Sequence, residues 1–219
     1  MTKRGLGVAS ALIGVSLVAW AIVVQQTRGM DMGPSADLGG LAWYTGLWLA
    51  MTAAMMLPST TPAVLLVDRL SPAATPRFLL GYLVAWTAYG LAAYGLARAA
   101  LASGFIHSGA AGPLIAAAGL YGLTPLKRAC LRHCRNPLAF LLRHERLGPV
   151  RTGALHGAHC VGCCAGLMVV LFAVGMMSVF WMVVVAALIA AEKIAPYGER
   201  LVTPISVALI ATGGWLVLA

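Results

Sequence analysis

The sequence predicts an all-α, polytopic integral membrane bundle, and three observations carry that prediction. Of 219 residues, 61% are apolar and only 10% are charged, against about 45–50% and about 25% in a soluble domain. Uncharged stretches long enough to cross a bilayer recur along the chain. The basic residues, finally, collect in alternate connections between those stretches. The same numbers exclude a disordered chain, a collagen and a disulfide-stapled secreted module. A net charge of +9 would suit nucleic acid, but so sparsely charged a chain has little surface for a phosphate backbone, so no nucleic-acid partner is expected.

A bilayer core of about 30 Å needs about 20 apolar residues in a helix. Between Arg4 and Arg28 lies a first span, near 6–24. Ala19-Trp20-Ala21 resembles a signal-peptidase site, but the apolar run continues to Val24, so a retained signal anchor is expected. Asp37 and Asp68 bound a second span near 41–66, interrupted by Pro58; Arg77 and Arg98 bound a third, near 78–97; Arg98 and Lys127 bound a fourth, near 109–126. Forty uncharged residues then separate Arg151 from Glu192. As one helix they would run about 60 Å, twice the core thickness. They are therefore expected as a hairpin, 155–175 and 178–194, turning at Gly175-Met176-Met177-Ser178. A last span near 201–218 completes seven, in one domain over 1–219; six spans without the hairpin is the alternative.

With the N-terminus in the cytoplasm, thirteen of the fifteen Lys and Arg residues fall inside, leaving Arg28 and Arg98 outside. That asymmetry is the positive-inside pattern. Its densest part is a basic cytoplasmic loop, 127–151, with room for an amphipathic surface helix. A multi-pass protein of a bacterial inner membrane is expected, with the lipid bilayer as its first partner.

All five cysteines lie in 35 residues. Cys130 and Cys134 follow the fourth span; Cys160, Cys163 and Cys164 open the fifth, preceded by His156 and His159. On this topology they face a compartment that keeps thiols reduced, so metal binding or catalysis is the expected role rather than disulfides. Residues four apart share a helix face, which aligns Cys130 with Cys134 and Cys160 with Cys164. Gly162 and Gly166 would let another helix approach beside them. Soft sulfur ligands from two elements suit Cu(I), with Zn(II) also possible. His133, His156 and His159 are candidates to complete or replace ligands. Cys160-Val161-Gly162-Cys163 is formally a C-x-x-C, which keeps a membrane thiol–disulfide oxidoreductase open as an alternative.

The chain also holds ten methionines. Met30 and Met32 fall in the first external loop, Met51, Met55 and Met56 just before Pro58, Met168 one turn beyond Cys164, and Met176, Met177 and Met182 around the hairpin. Thioethers select Cu(I), and Met is equally a filler of gaps between helices. Pro58 frees a backbone carbonyl that a packed neighbour or a bound ion must satisfy. Glu192-Lys193 reads as an interfacial anchor, and His107 and His144 as solvated.

Four segments carry a family resemblance. Gly119 through Cys134, with its Thr-Pro-Leu-Lys-Arg-Ala-Cys-Leu-Arg-His-Cys run, and His156 through Cys164 resemble a prokaryotic domain-of-unknown-function family; so do Met51 through Pro58 and Glu192-Lys193. Its members are described as predicted metal-binding integral membrane proteins, sometimes as copper chaperones. Ala165 and Gly166 stand where the family has bulkier residues. The resemblance implies copper handling in a bacterial inner membrane and a copper-accepting client protein, without implying a known reaction. The expected ligands are Cys130, Cys134, Cys160, Cys163, Cys164, His133, His159 and His156, with Met51, Met55, Met56 and Met168 as intramembrane soft donors. A purely structural assembly subunit is the remaining alternative.

Overall fold

The computed structural model describes residues 3–28, 39–104, 111–175 and 178–218. Among them are nine α-helices and no strand: α1 (Lys3–Thr27), α2 (Leu41–Leu70), α3 (Thr75–Ala102), α4 (Ala111–Gly122), α5 (Pro125–Arg135), α6 (Pro137–Arg143), α7 (Pro149–Val174), α8 (Val179–Ile194) and α9 (Gly198–Leu218). Five of these, α1, α2, α3 with the short turn before it, α7 and α9, are long and apolar enough to cross a membrane. The described parts of α4 and α8 are shorter, 12 and 16 residues.

Helix starts follow proline. Pro125, Pro137 and Pro149 each sit in the first turn of a helix, where the missing N–H costs nothing and the fixed φ is already helical. Thr124 and Asn136 cap the first two by accepting from the backbone N–H of Lys127 and Ala139. Gly148 precedes the third at φ +75°, a left-handed conformation that favours glycine. The fourth expected span therefore ends at Gly122 rather than at 126, because Thr124-Pro125 begins a new helix. The basic stretch 127–151 is mostly helical, α5, α6 and the first turn of α7, instead of a loop carrying one helix. The run after Arg151 breaks at Gly175 into α7 and α8; the Met176-Met177 part of the expected turn lies outside the described residues.

Close helix contacts depend on small residues. A Cβ on Gly153 of α7 would land on the carbonyl oxygen of Phe78 in α3, and one on Gly81 of α3 on that of Val150. In the same way Gly112, Gly119 and Gly122 of α4 lie against Gly213, Ile210 and Ser206 of α9. Packing of small residues is how helices associate where no hydrophobic effect separates them.

The main core lies between α1, α2, α3, α7 and α8. One end of it is aromatic: Tyr44, Trp48, Trp86, Tyr89, Tyr94 and Phe172 have ring centroids 4.8–6.5 Å apart, and Trp48 Nε1 donates to the Trp86 carbonyl at 2.9 Å. The other end is polar and ionic. There Arg4 meets Asp68 at 3.3 Å, Lys127 meets Glu192 at 2.8 Å and Arg132 meets Glu199 at 3.4 Å. These pairs join α1 to α2, α5 to α8 and α5 to α9.

Candidate metal centre

The site is built where α5 and α8 close over the first half of α7. Cys160, Cys163 and Cys164, spaced to share one helix face, are all buried. Opposite them α5 buries Lys127 and Leu131 and brings Cys130 and Cys134, both half-buried. Gly162 makes room for this approach, since a Cβ there would stand 2.6 Å from Cys130 Sγ. Gly166 lies likewise against Ala118 and Tyr121 of α4, and the Tyr121 hydroxyl donates to the Gly162 carbonyl.

Four sulfurs form a connected group. Cys163 Sγ is 3.8 Å from Cys134 Sγ and 3.5 Å from Cys164 Sγ. Cys134 also lies beside Cys160, and hydrogen bonding between those two sulfurs is the main reason its thiol is held well above the usual cysteine range. Burial pushes the Cys130 thiol up. Sulfurs sharing a tetrahedral ion at about 2.3 Å stand about 3.8 Å apart, close to the separation of the Cys163 and Cys134 sulfurs. Among the described residues, however, no three His, Cys, Asp or Glu side chains are disposed to hold one metal ion as they stand. The Cys160 sulfur is engaged instead by Lys193 Nζ at 2.9 Å and by the Tyr82 hydroxyl at 3.0 Å.

Lys193 is the residue that sequence reasoning misplaced. Its ammonium is not an anchor at the interface; it turns into the bundle onto Cys160, Ser59 Oγ at 3.3 Å and Met56 Sδ at 3.9 Å. Its neighbour Glu192 is equally occupied, in the buried pair with Lys127. Arg135 adds a bond to the Glu192 carbonyl at 2.7 Å, so α5 is fastened to the end of α8 at two levels. The signal available was two ionisable residues ending an apolar run, but their targets lie on α5, α7 and α2, 33 to 137 positions away.

The histidines separate. His156 is buried, its Nε2 3.2 Å from Thr60 Oγ1 and its Nδ1 without a hydrogen-bond partner among the described residues. His133 of α5 and His159 of α7 face each other with ring centroids 4.5 Å apart. His144 is half-buried rather than fully solvated, bonded through Nδ1 to the Phe140 carbonyl. Phe140 thus stands among His133, His144, His156 and His159, with centroids 4.6–6.4 Å from its own.

Met51, Met55, Met56, Met168 and Met182 are all buried in the core that also contains the cysteines. Met30, Met32, His107, Met176 and Met177 lie outside the described residues. The carbonyl freed by Pro58 is that of Ala54, and Ser16 of α1 donates to it at 2.8 Å. A packed neighbour, not an ion, satisfies it.

Among the described residues the chain is all-helical, with its cysteines gathered at one end of the core. A family model described as PpoB2, copper chaperone, matches residues 45–216, and the chain belongs to that family. Copper handling is thereby its general business. No curated protein and no solved structure matches the chain.

Proposed function

We propose that this chain is a multi-pass inner-membrane protein that takes Cu(I) as cargo on the thiolates of α5 and α7, at the cytoplasmic end, and passes it to a client protein. The observation that carries the reading is the contact of Cys163 with both Cys134 and Cys164. Soft donors from two separate helices thus stand within 3.8 Å of each other, and soft thiolates select Cu(I). Zinc, which takes four thiolates at the same spacing, is the alternative cargo. Lys193 fits the same reading: its positive charge supports a thiolate at Cys160 before the metal arrives. Copper then takes over that sulfur, and the ammonium keeps its bonds to Ser59 and Met56.

The ion pairs support the seven-span topology over six. Lys127–Glu192 and Arg132–Glu199 put the start of α5 and the junction of α8 and α9 at one end of the molecule. Without the hairpin those two regions would fall on opposite sides of the membrane. Met51, Met55, Met56 and Met168 then lie between the cysteine end and the aromatic end, as soft donors along the path of a copper ion entering from outside.

Copper content per chain, measured in mild detergent under reducing conditions, tests the proposal. Cys160→Ser and Cys164→Ser should each lower it, and His144→Ala should leave it unchanged. Unaltered copper in both cysteine variants would refute the thiolate site. A second reading has one observation in its favour: a lysine beside a thiol is also how a redox nucleophile is activated. It predicts a mixed disulfide trapped at Cys160 or Cys163, whereas the chaperone reading predicts retained metal and none.

A further inference from the structure

His133 and His159 carry a feature that the thiolate site does not use. His133 Nδ1 is 2.7 Å from the carbonyl oxygen of Ala129, and His159 Nδ1 is 2.8 Å from that of Leu155. A carbonyl oxygen only accepts, so in both rings Nδ1 carries the proton. The neutral imidazole then keeps its lone pair on Nε2. Both rings are in the same tautomer for the same reason, and they face each other from different helices with centroids 4.5 Å apart. A histidine whose other nitrogen donates to a backbone carbonyl is the usual arrangement of a metal-ligating imidazole. Both side chains are half-buried, and an open crevice lined by Arg132, Asn136, Phe140 and Arg143 reaches His133.

We infer that His133 and His159 form a second metal site, at the rim of the protein, distinct from the sulfur site behind it. Imidazole is a borderline ligand that suits divalent copper, nickel and zinc, where thiolate suits Cu(I). Two rings side by side offer adjacent positions on one ion and leave the others to water or to a donor from a partner. That is the coordination of a divalent ion and a poor one for Cu(I) between opposed ligands. The edge of Phe140 stands against both rings, at 90° to His133 and 72° to His159, and holds them in place. Because one ligand rides on α5 and the other on α7, an ion here also clamps shut the two helices that carry the thiols. In that respect the inference rests on the reading above; as a binding site it stands without it.

The test uses the full-length protein in detergent, loaded with Cu(I) under argon and then titrated with Ni(II), which does not exchange electrons with the thiols. The wild type should take up one added equivalent, with imidazole scattering at the nickel absorption edge. His133→Phe and His159→Phe, which keep a ring in each position, should each weaken that uptake by about tenfold or more, while Cu(I) content and circular dichroism stay at the wild-type level. Absence of an added equivalent, or one that survives both substitutions, overturns the inference. Loss of Cu(I) along with Ni(II) overturns it too, since the rings would then belong to the thiolate site. Nickel uptake in a wild type that holds no Cu(I) would leave this site standing and remove the thiolate proposal instead.

Discussion

The two ends of the central core are built from the same helices and hold opposite chemistry. At one end Tyr44, Trp48, Trp86, Tyr89, Tyr94 and Phe172 fill the space between α2, α3 and α7 with rings. Shape holds them, and the indole bond from Trp48 to Trp86 orients them together with the hydroxyl bonds from Tyr89 to Ala165 and from Tyr94 to Gly39. At the other end the same α2 and α7 present Thr60, Ser59, Met56 and the cysteines. There α5 and α8 complete the packing with Lys127, Glu192 and Lys193. An aromatic layer has one low-energy arrangement. A layer of thiols and an ammonium has several, because each sulfur can exchange one partner for another at similar distance. The difference predicts rigidity at the first end and, under the proposed function, exchange of partners at the second.

The most severe disturbance should strike both ends at once. Gly153→Val would drive a branched side chain into the Phe78 carbonyl and separate α3 from α7. The loss of folded protein, read as a fall in thermal transition temperature, should exceed that of any substitution confined to one end.

Lys127→Met should divide the two ends. It leaves the Glu192 carboxylate buried without its partner, a change worth about 3–5 kcal/mol. The damage should centre on α5. Hydrogen exchange should rise over 125–135, while the α2–α3 aromatic contacts keep their near-ultraviolet circular dichroism. Equal exchange at both ends would mean that the sulfur end has no independent mobility.

Lys193→Met keeps most of the side chain's volume and removes the charge beside Cys160. The rate of copper uptake should fall by about tenfold, the effect of losing one charge-assisted contact of about 1.4 kcal/mol that holds Cys160 as a thiolate before the metal arrives. Lys193→Arg should recover part of it. Identical uptake rates in Lys193→Met and wild type would reduce the lysine to packing.

The smallest effect is expected between the ends. Replacing Met51, Met55 and Met168 with Leu conserves volume, so stability should change by less than about 1.5 kcal/mol per site. Copper content at the thiols should hold. Copper exchange across the membrane of reconstituted vesicles should drop, because the thioethers are gone from the path. Exchange at the wild-type rate would make these methionines gap-fillers.

What was legible in the sequence follows from how local each signal is. The break near Gly175 is a property of a few adjacent residues. The shared face of Cys160 and Cys164 follows from helical spacing alone. The partner of the Pro58-freed carbonyl is Ser16, on another helix, and no spacing within α2 could name it. Lys193 was misread for the same reason: whether a lysine at a helix end points to water or inward depends on what the next helix offers. Here Cys160 of α7 offers a sulfur. The fourth span was drawn too long because hydropathy continues through Leu123 and Leu126, although Thr124-Pro125 already starts a helix of different direction.

The central claim is that copper sits on sulfur supplied jointly by α5 and α7. X-ray absorption at the copper edge of the Cu(I)-loaded, full-length protein tests it most directly. The account predicts a first shell of sulfur alone, at the same distance in the His133→Phe and His159→Phe variants. It predicts loss of one sulfur in Cys134→Ser, since that substitution removes the α5 thiol that meets Cys163. A shell dominated by nitrogen or oxygen, or one indifferent to Cys134→Ser, would contradict it.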